Sequence, residues 1–119
     1  MRPFLVALIL LTAQQAFAEE PLIWVRLQHA KPYKLSAEQV EALKATILPL
    51  LKDETGAKFG NAFAGTEANG KVLACIDVNA KNSFGGFSGW HANYATLSGS
   101  KVNYELELQY PCEVMATLH

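Results

Sequence analysis

Cys75 and Cys112 are the only cysteines among 119 residues, and pairing them constrains the fold more than any other feature of the chain. An even cysteine count in a short chain reads as a disulfide wherever the compartment is oxidising. Two cysteines allow one intramolecular connectivity. Closing a loop of about 38 residues removes about 4 kcal/mol of unfolded-state entropy on the chain-entropy model, a large share of a small domain's stability. The competing readings are a metal pair and a reactive thiol. No Cys-x-x-Cys occurs and no histidine lies within four residues of either cysteine, so a nucleophilic Cys75 would need His91 from a distant segment. A Cys75–Cys112 bridge is the expectation.

The amino terminus names the compartment. Met1-Arg2-Pro3 precedes the uninterrupted apolar run Phe4–Leu11, followed by Thr12, Gln14, Gln15 and then Ala16-Phe17-Ala18. A basic start, a short apolar core and an Ala-x-Ala site are the parts of a cleavable secretory signal. Residues 1–18 are therefore expected to be removed, leaving residues 19–119 as a single small domain in the periplasm or secreted. The apolar run is far shorter than the ~20 residues that span a bilayer as a helix, so no transmembrane anchor is expected after cleavage. The other reading of this run is a buried helix. Past Ala18, nine Lys and Arg stand against eleven Asp and Glu, a formal net charge of -2. A nucleic-acid or anionic-membrane binder would carry a basic excess or patch, so neither partner is expected.

Helical and strand patterns divide the remainder. Leu22–Leu27 is apolar on both parities and rich in β-forming residues, which reads as a first strand or an extended arm. Gln28–Lys34, with Pro32 inside, reads as a linker. Ser36-Ala37-Glu38-Gln39 is a capping box, and Leu35 with Val40 completes a hydrophobic staple. Val40, Leu43, Ile47, Leu50 and Leu51 then recur at helical spacing, which predicts a helix from Ala37 to about Leu51. Pro49 conflicts with that span, so the helix either kinks there or stops near Leu48 with a separate turn after it.

Lys58–Gly65 reads as a strand, and Asn69-Gly70 as a type I′ hairpin turn. Val72–Val78 is the strongest strand: Val72, Ala74, Ile76 and Val78 are apolar, and Leu73 and Cys75 make the other face apolar too, as in a central strand. Asn79–Trp90 reads as glycine-rich loop, His91–Leu97 as a strand and Ser98-Gly99-Ser100 as a turn. Val102, Tyr104, Leu106, Leu108 and Tyr110 alternate with polar residues, predicting a strand with one buried and one wet face. No repeated helical crossovers exist to build a parallel sheet. The expected fold is α+β: one amphipathic helix packed on a three- to four-stranded, mainly antiparallel sheet, with the disulfide tying its centre to the end of the last strand.

The least generic stretch is Asn79-Ala80-Lys81-Asn82-Ser83-Phe84-Gly85-Gly86-Phe87-Ser88-Gly89-Trp90. With Cys75 and Val78 before it, it resembles a Cys-x-x-Val-Asn-x-Lys-Asn-Ser-x-Gly-Gly-aromatic-x-Gly pattern of small exported bacterial proteins of uncharacterised function. Leu51-Lys52-Asp53, Ala57 and Phe59 match an upstream part of that pattern. Glu54 departs from its proline, Gly56 from its serine, Ile76 from its glycine and Phe87 from its tyrosine. The resemblance spans residues 51 to 90 and implies an exported bacterial domain, with no reaction or ligand attached.

Two readings compete for this stretch. In the first, Asn79 and Asn82 cap turns while Phe84 and Phe87 close the core edge. In the second it is a recognition loop, in which Phe87, Trp90 and Tyr94 form an exposed platform with Asn79, Lys81 and Asn82 as polar contacts. Its partner would be a protein or an envelope glycan. A phosphate nest at Gly85-Gly86 lacks the Walker arrangement.

Catalytic chemistry finds little support. His29, His91 and His119 show no paired metal spacing, so neither metal nor cofactor is expected. Glu105 and Glu107 would share one strand face at about 7 Å, a spacing acid–base pairs can use, yet their alternation with apolar residues reads as a solvated face. A Ser83–His91–Asp77 triad can be written without any nucleophile-elbow context. The expected function is a non-enzymatic binding or accessory module. A structural or stress-related envelope protein and a small hydrolase are the alternatives.

Overall fold

The computed structural model describes residues 22–82 and 84–112; residues 1–18, expected to be an export signal, and Ser83 of the written triad lie outside them. Val72–Lys81 is the central strand of a five-stranded antiparallel sheet and is buried on both faces from Val72 to Val78. The strands are β1 (Lys31–Pro32), β2 (Lys58–Thr66), β3 (Val72–Lys81), β4 (Phe87–Ser98) and β5 (Lys101–Leu108), and they pair in chain order. Two helices, α1 (Ile23–His29) and α2 (Ala37–Ile47), complete the described fold. The α+β class and the disulfide match expectation. The described residues hold five strands and two helices in place of three to four strands and one helix.

Each helix covers one face of the sheet, which explains why β3 is apolar on both parities. Leu43 and Ile47 of α2 pack with Val72, Ala74, Ile76 and Val78, joined by Ala95, Leu97, Val102 and Tyr104. Ile23, Trp24 and Leu27 of α1 pack on the opposite face with Leu73, Cys75, Ala92, Tyr94 and Cys112. The extended reading of Leu22–Leu27 is thereby corrected. Ile23 and Leu27, four apart, meet the sheet only when the segment is helical, and that burial outweighs the β preference of Ile23, Trp24 and Val25.

The helix signals held at the start of α2 and resolved at its end. Gln39 N–H donates to Ser36 Oγ at 3.1 Å and Ser36 N–H to Gln39 Oε1 at 2.9 Å, closing the capping box. The α-helix ends at Ile47, and Leu48–Leu50 form a 3-10 turn carrying Pro49. Proline tolerates that early-turn position because no intrahelical N–H is required of it there. Within the presumed linker, Lys31 and Pro32 pair with Thr66 and Gly65, and Tyr33 N–H donates to the Ala64 carbonyl at 2.9 Å.

The hairpins differ from the sequence reading in two ways. At Glu67–Lys71 only Gly70 takes positive φ (+86°), with Gly70 N–H donating to Glu67 and Glu67 N–H to Lys71. Type I′ needs positive φ at both central residues; this loop is a three-residue connection with glycine in the left-handed position. In β5, Tyr94 pairs with Leu106 but Ala95 pairs with Tyr104, leaving Glu105 as an extra residue in a bulge. The bulge redirects one apolar parity to both faces: Val102 and Tyr104 reach the α2 side, Leu108 the α1 side. It also breaks the expected carboxylate pair. Glu105 accepts from Thr96 Oγ1 at 3.3 Å, while Glu107 meets His91 Nδ1 at 3.3 Å on the other face.

After β5 the chain folds back over the α1 face. Ala92 N–H donates to the Tyr110 carbonyl, and Cys112 bonds to Cys75 with Cα atoms 5.9 Å apart. The central strand is thus tied to the end of the last one.

Candidate functional site

β3 and β4 stay paired out to Lys81 and Phe87, beyond Val78 where the fully buried stretch of β3 ends. Residues expected to be loop are instead strand out to Lys81 and from Phe87, leaving a short connection at 82–86. The connection is held by Asn82: its Oδ1 accepts from Phe84 N–H at 2.9 Å and Gly86 N–H at 3.2 Å, and its own N–H donates to the Gly86 carbonyl at 2.8 Å. Gly85, at φ +83°, supplies the left-handed step that brings Gly86 back to Asn82. Lower down, Asn79 Oδ1 accepts from Gly89 N–H at 3.1 Å, where a register shift lies between Asn79 and Lys81.

This scaffold holds three aromatics at the surface. Phe84 projects from the tip 95% exposed, while Phe87 and Trp90 are 44% and 39% exposed. The Trp90 ring lies against Gly60, where an added Cβ would come within 3.0 Å of Cζ3 and 3.3 Å of the Asp77 Cβ. Gly60 belongs to a bulge in β2, between the pairs Phe59–Val78 and Ala62–Ile76, so the missing side chain makes the seat for the indole. Lys58 Nζ stands 4.9 Å and Lys81 Nζ 6.0 Å from the Phe87 ring centroid. An ammonium over an exposed ring is worth about 0.5–1 kcal/mol, enough to bias both lysines towards Phe87.

Of the residues singled out in the sequence, Lys81, Phe87 and Trp90 share this surface. Asn79 and Asn82 adjoin it, but each spends its carbonyl oxygen on backbone N–H groups and shapes the hairpin. Tyr94 is not part of the platform. It is fully buried, paired across β3 with Cys75 and packed among Ile23, Leu73 and Cys112. Burial first, and then the nearby Asp77 charge, push its phenol up to about 12. Its hydroxyl is the one buried side-chain polar atom without a hydrogen-bond partner among the described residues. Lys58 joins this surface beside Phe87, and Phe84 is exposed at the hairpin tip. Lys58 arrives from β2, and only strand register could have revealed it.

The written triad does not assemble. Ala92 pairs with Asp77 across the sheet, so adjacent His91 projects to the opposite face, where it meets Glu107. Asp77 is buried, its carboxylate accepting the Cys112 N–H at 2.7 Å. Among the described residues no group of three or more His, Cys, Asp or Glu could hold a metal ion, and no helix is long and apolar enough to cross a membrane.

No family model, curated protein or solved structure was found to match this chain.

Proposed function

We propose that the chain is an exported binding or accessory module that recognises a protein or cell-envelope glycan through the distal end of the β3–β4 hairpin. One observation carries this reading: Phe84, Phe87 and Trp90 are all solvent-accessible on a single braced hairpin, with Lys58 and Lys81 beside Phe87. A fold that merely needed to close a hairpin gains nothing from a phenylalanine 95% exposed at its tip. Rigid aromatics lose little conformational entropy on contact and bury large areas, which suits them as anchors. The two ammonium groups favour a partner that presents acidic groups around an apolar one.

The secretory-type amino terminus and the resemblance of residues 51–90 to exported bacterial proteins support placement in the periplasm or outside the cell. Contact falls to Phe84, Phe87, Trp90, Lys58 and Lys81, with Asn79 and Asn82 fixing their geometry.

The seating of Trp90 on Gly60 favours a second, structural reading for that residue alone. The experiment compares affinity capture from an envelope extract by the protein and by Phe87→Ala. A partner retained by the first and lost by the second supports the binding reading. Equal capture by both would place recognition elsewhere.

A further inference from the structure

Away from the hairpin tip, a cleft of about 750 Å³ opens beside β2. Its walls come from both sides of the sheet. Leu27 belongs to the helix on one face and Val40 to the helix on the other, with Phe63 and Ala64 of β2 between them. A cavity walled this way wraps a sheet edge. β1 occupies that edge only at Thr66 and Gly65, and its ladder ends with the Tyr33 N–H to Ala64 carbonyl bond. In an antiparallel ladder, residues two apart direct their backbone groups the same way. The carbonyl of Ala64 points outward to Tyr33, so the N–H and C=O of Ala62 point outward as well, into the cleft.

We propose that this cleft is a binding site for an extended peptide, which adds a short strand to β2 at Ala62 in line with β1. Three features select that occupant. First, a small apolar molecule would cover the Ala62 N–H and C=O and leave both unpaired, an unfavourable outcome, whereas a peptide backbone pairs them. Second, alternate side chains of an added strand fall on opposite faces, and here both faces are apolar. Third, Lys34 is the one charged residue of the lining and has no partner among the described residues, so it favours a carboxylate on the incoming chain. The bulge at Gly60–Asn61 interrupts the edge beyond Ala62, so pairing is limited to a few residues. This site stands independently of the hairpin-tip reading.

The test uses the full chain with Cys75–Cys112 closed, isotopically labelled for amide hydrogen exchange. The probe is acetyl-Thr-Val-Thr-Val-Asp-amide, compared with the same peptide N-methylated at its central threonine and valine. The parent peptide is expected to slow exchange at Ala62 and to shift the resonances of Phe63 and Tyr33. N-methylation removes the donors, and affinity is expected to fall at least about tenfold. Ala62→Pro deletes only an outward N–H, a substitution edge strands tolerate, and is expected to keep the melting temperature while losing the peptide. Lys34→Glu is expected to weaken the aspartate peptide more than its asparagine counterpart. Equal binding of the N-methylated peptide would overturn the proposal in favour of a simple apolar pocket. Absence of any change at Ala62 up to about 1 mM peptide would also overturn it.

Discussion

The Asp77 carboxylate accepts the backbone N–H of Cys112 at 2.7 Å, two positions along β3 from the cysteine to which Cys112 is bonded. The returning chain is therefore fixed to one face of the central strand twice, once covalently and once by a buried charge-assisted hydrogen bond. Replacing Asp77 with leucine leaves that N–H buried and unpaired, and is expected to cost about 2–3 kcal/mol. Asp77→Asn keeps an acceptor and is expected to cost less. Urea unfolding of the two variants measures both, and equal midpoints for all three proteins would contradict the assignment.

Removal of the disulfide is expected to cost more. Cys75 and Cys112 are fully buried, and their bridge restrains the unfolded chain over 37 positions. The double variant Cys75→Ala, Cys112→Ala should lose about 3–4 kcal/mol by the loop-entropy argument. Thermal unfolding with and without reductant checks this: reductant should lower the parent's midpoint and leave the variant's unchanged.

Tyr94 makes stability fall at alkaline pH. Below about pH 10 its phenol is neutral in both the folded and unfolded chains, and contributes no pH dependence. Between there and its folded value of about 12, the unfolded phenol ionises while the buried one stays neutral. Unfolding then releases a proton, so stability drops as pH rises, by about 2–3 kcal/mol by pH 12. Tyr94→Phe removes this slope. Because the hydroxyl has no hydrogen-bond partner among the described residues, the variant should be unchanged or slightly more stable at pH 7. A phenolate signal from Tyr94 in the folded protein at pH 10 would contradict its burial.

Gly65 sets how closely β1 approaches β2. A Cβ there would lie 2.5 Å from the Ala30 Cβ and 3.1 Å from the Lys31 carbonyl oxygen. Gly65→Ala must push that segment away, at an expected cost of about 1–3 kcal/mol. Faster amide exchange at Tyr33, whose bond to Ala64 depends on that approach, is the specific readout.

Local chemistry made part of this architecture legible. The Ser36–Gln39 capping box, the two-sided apolar run of β3 and the cysteine pair each carry a signal within a few residues. The helix Ile23–His29 was hidden because its reason for being helical is the sheet face it covers, not its own propensities. Bulges have no periodic signature, so the Glu105 insertion looked like unbroken alternation and made Glu105 and Glu107 appear to share a face. The candidate surface divides in the same way. Phe87, Trp90 and Lys81 stand out by type and spacing, while Lys58 depends on the β2–β3 register. Tyr94 could not be told from an exposed aromatic, since the sequence around it alternates no more clearly than that around Trp90.

Trp90→Ala is expected to weaken the fold by about 1–2 kcal/mol, since Trp90 is only 39% exposed and part of its covered surface lies against Gly60. A partner effect in this variant therefore mixes two causes, which makes it a poor probe of recognition by itself.

Phe84 separates recognition from folding. It is 95% exposed at the hairpin tip, so Phe84→Ala should leave the melting temperature within about 1 °C of the parent's, as expected of a surface change. Capture from an envelope extract with this variant, beside the parent, is the most direct measurement. The account predicts an unchanged melting temperature with the partner lost or clearly weakened. Full retention of every captured partner by the folded variant would contradict a binding role for the hairpin tip.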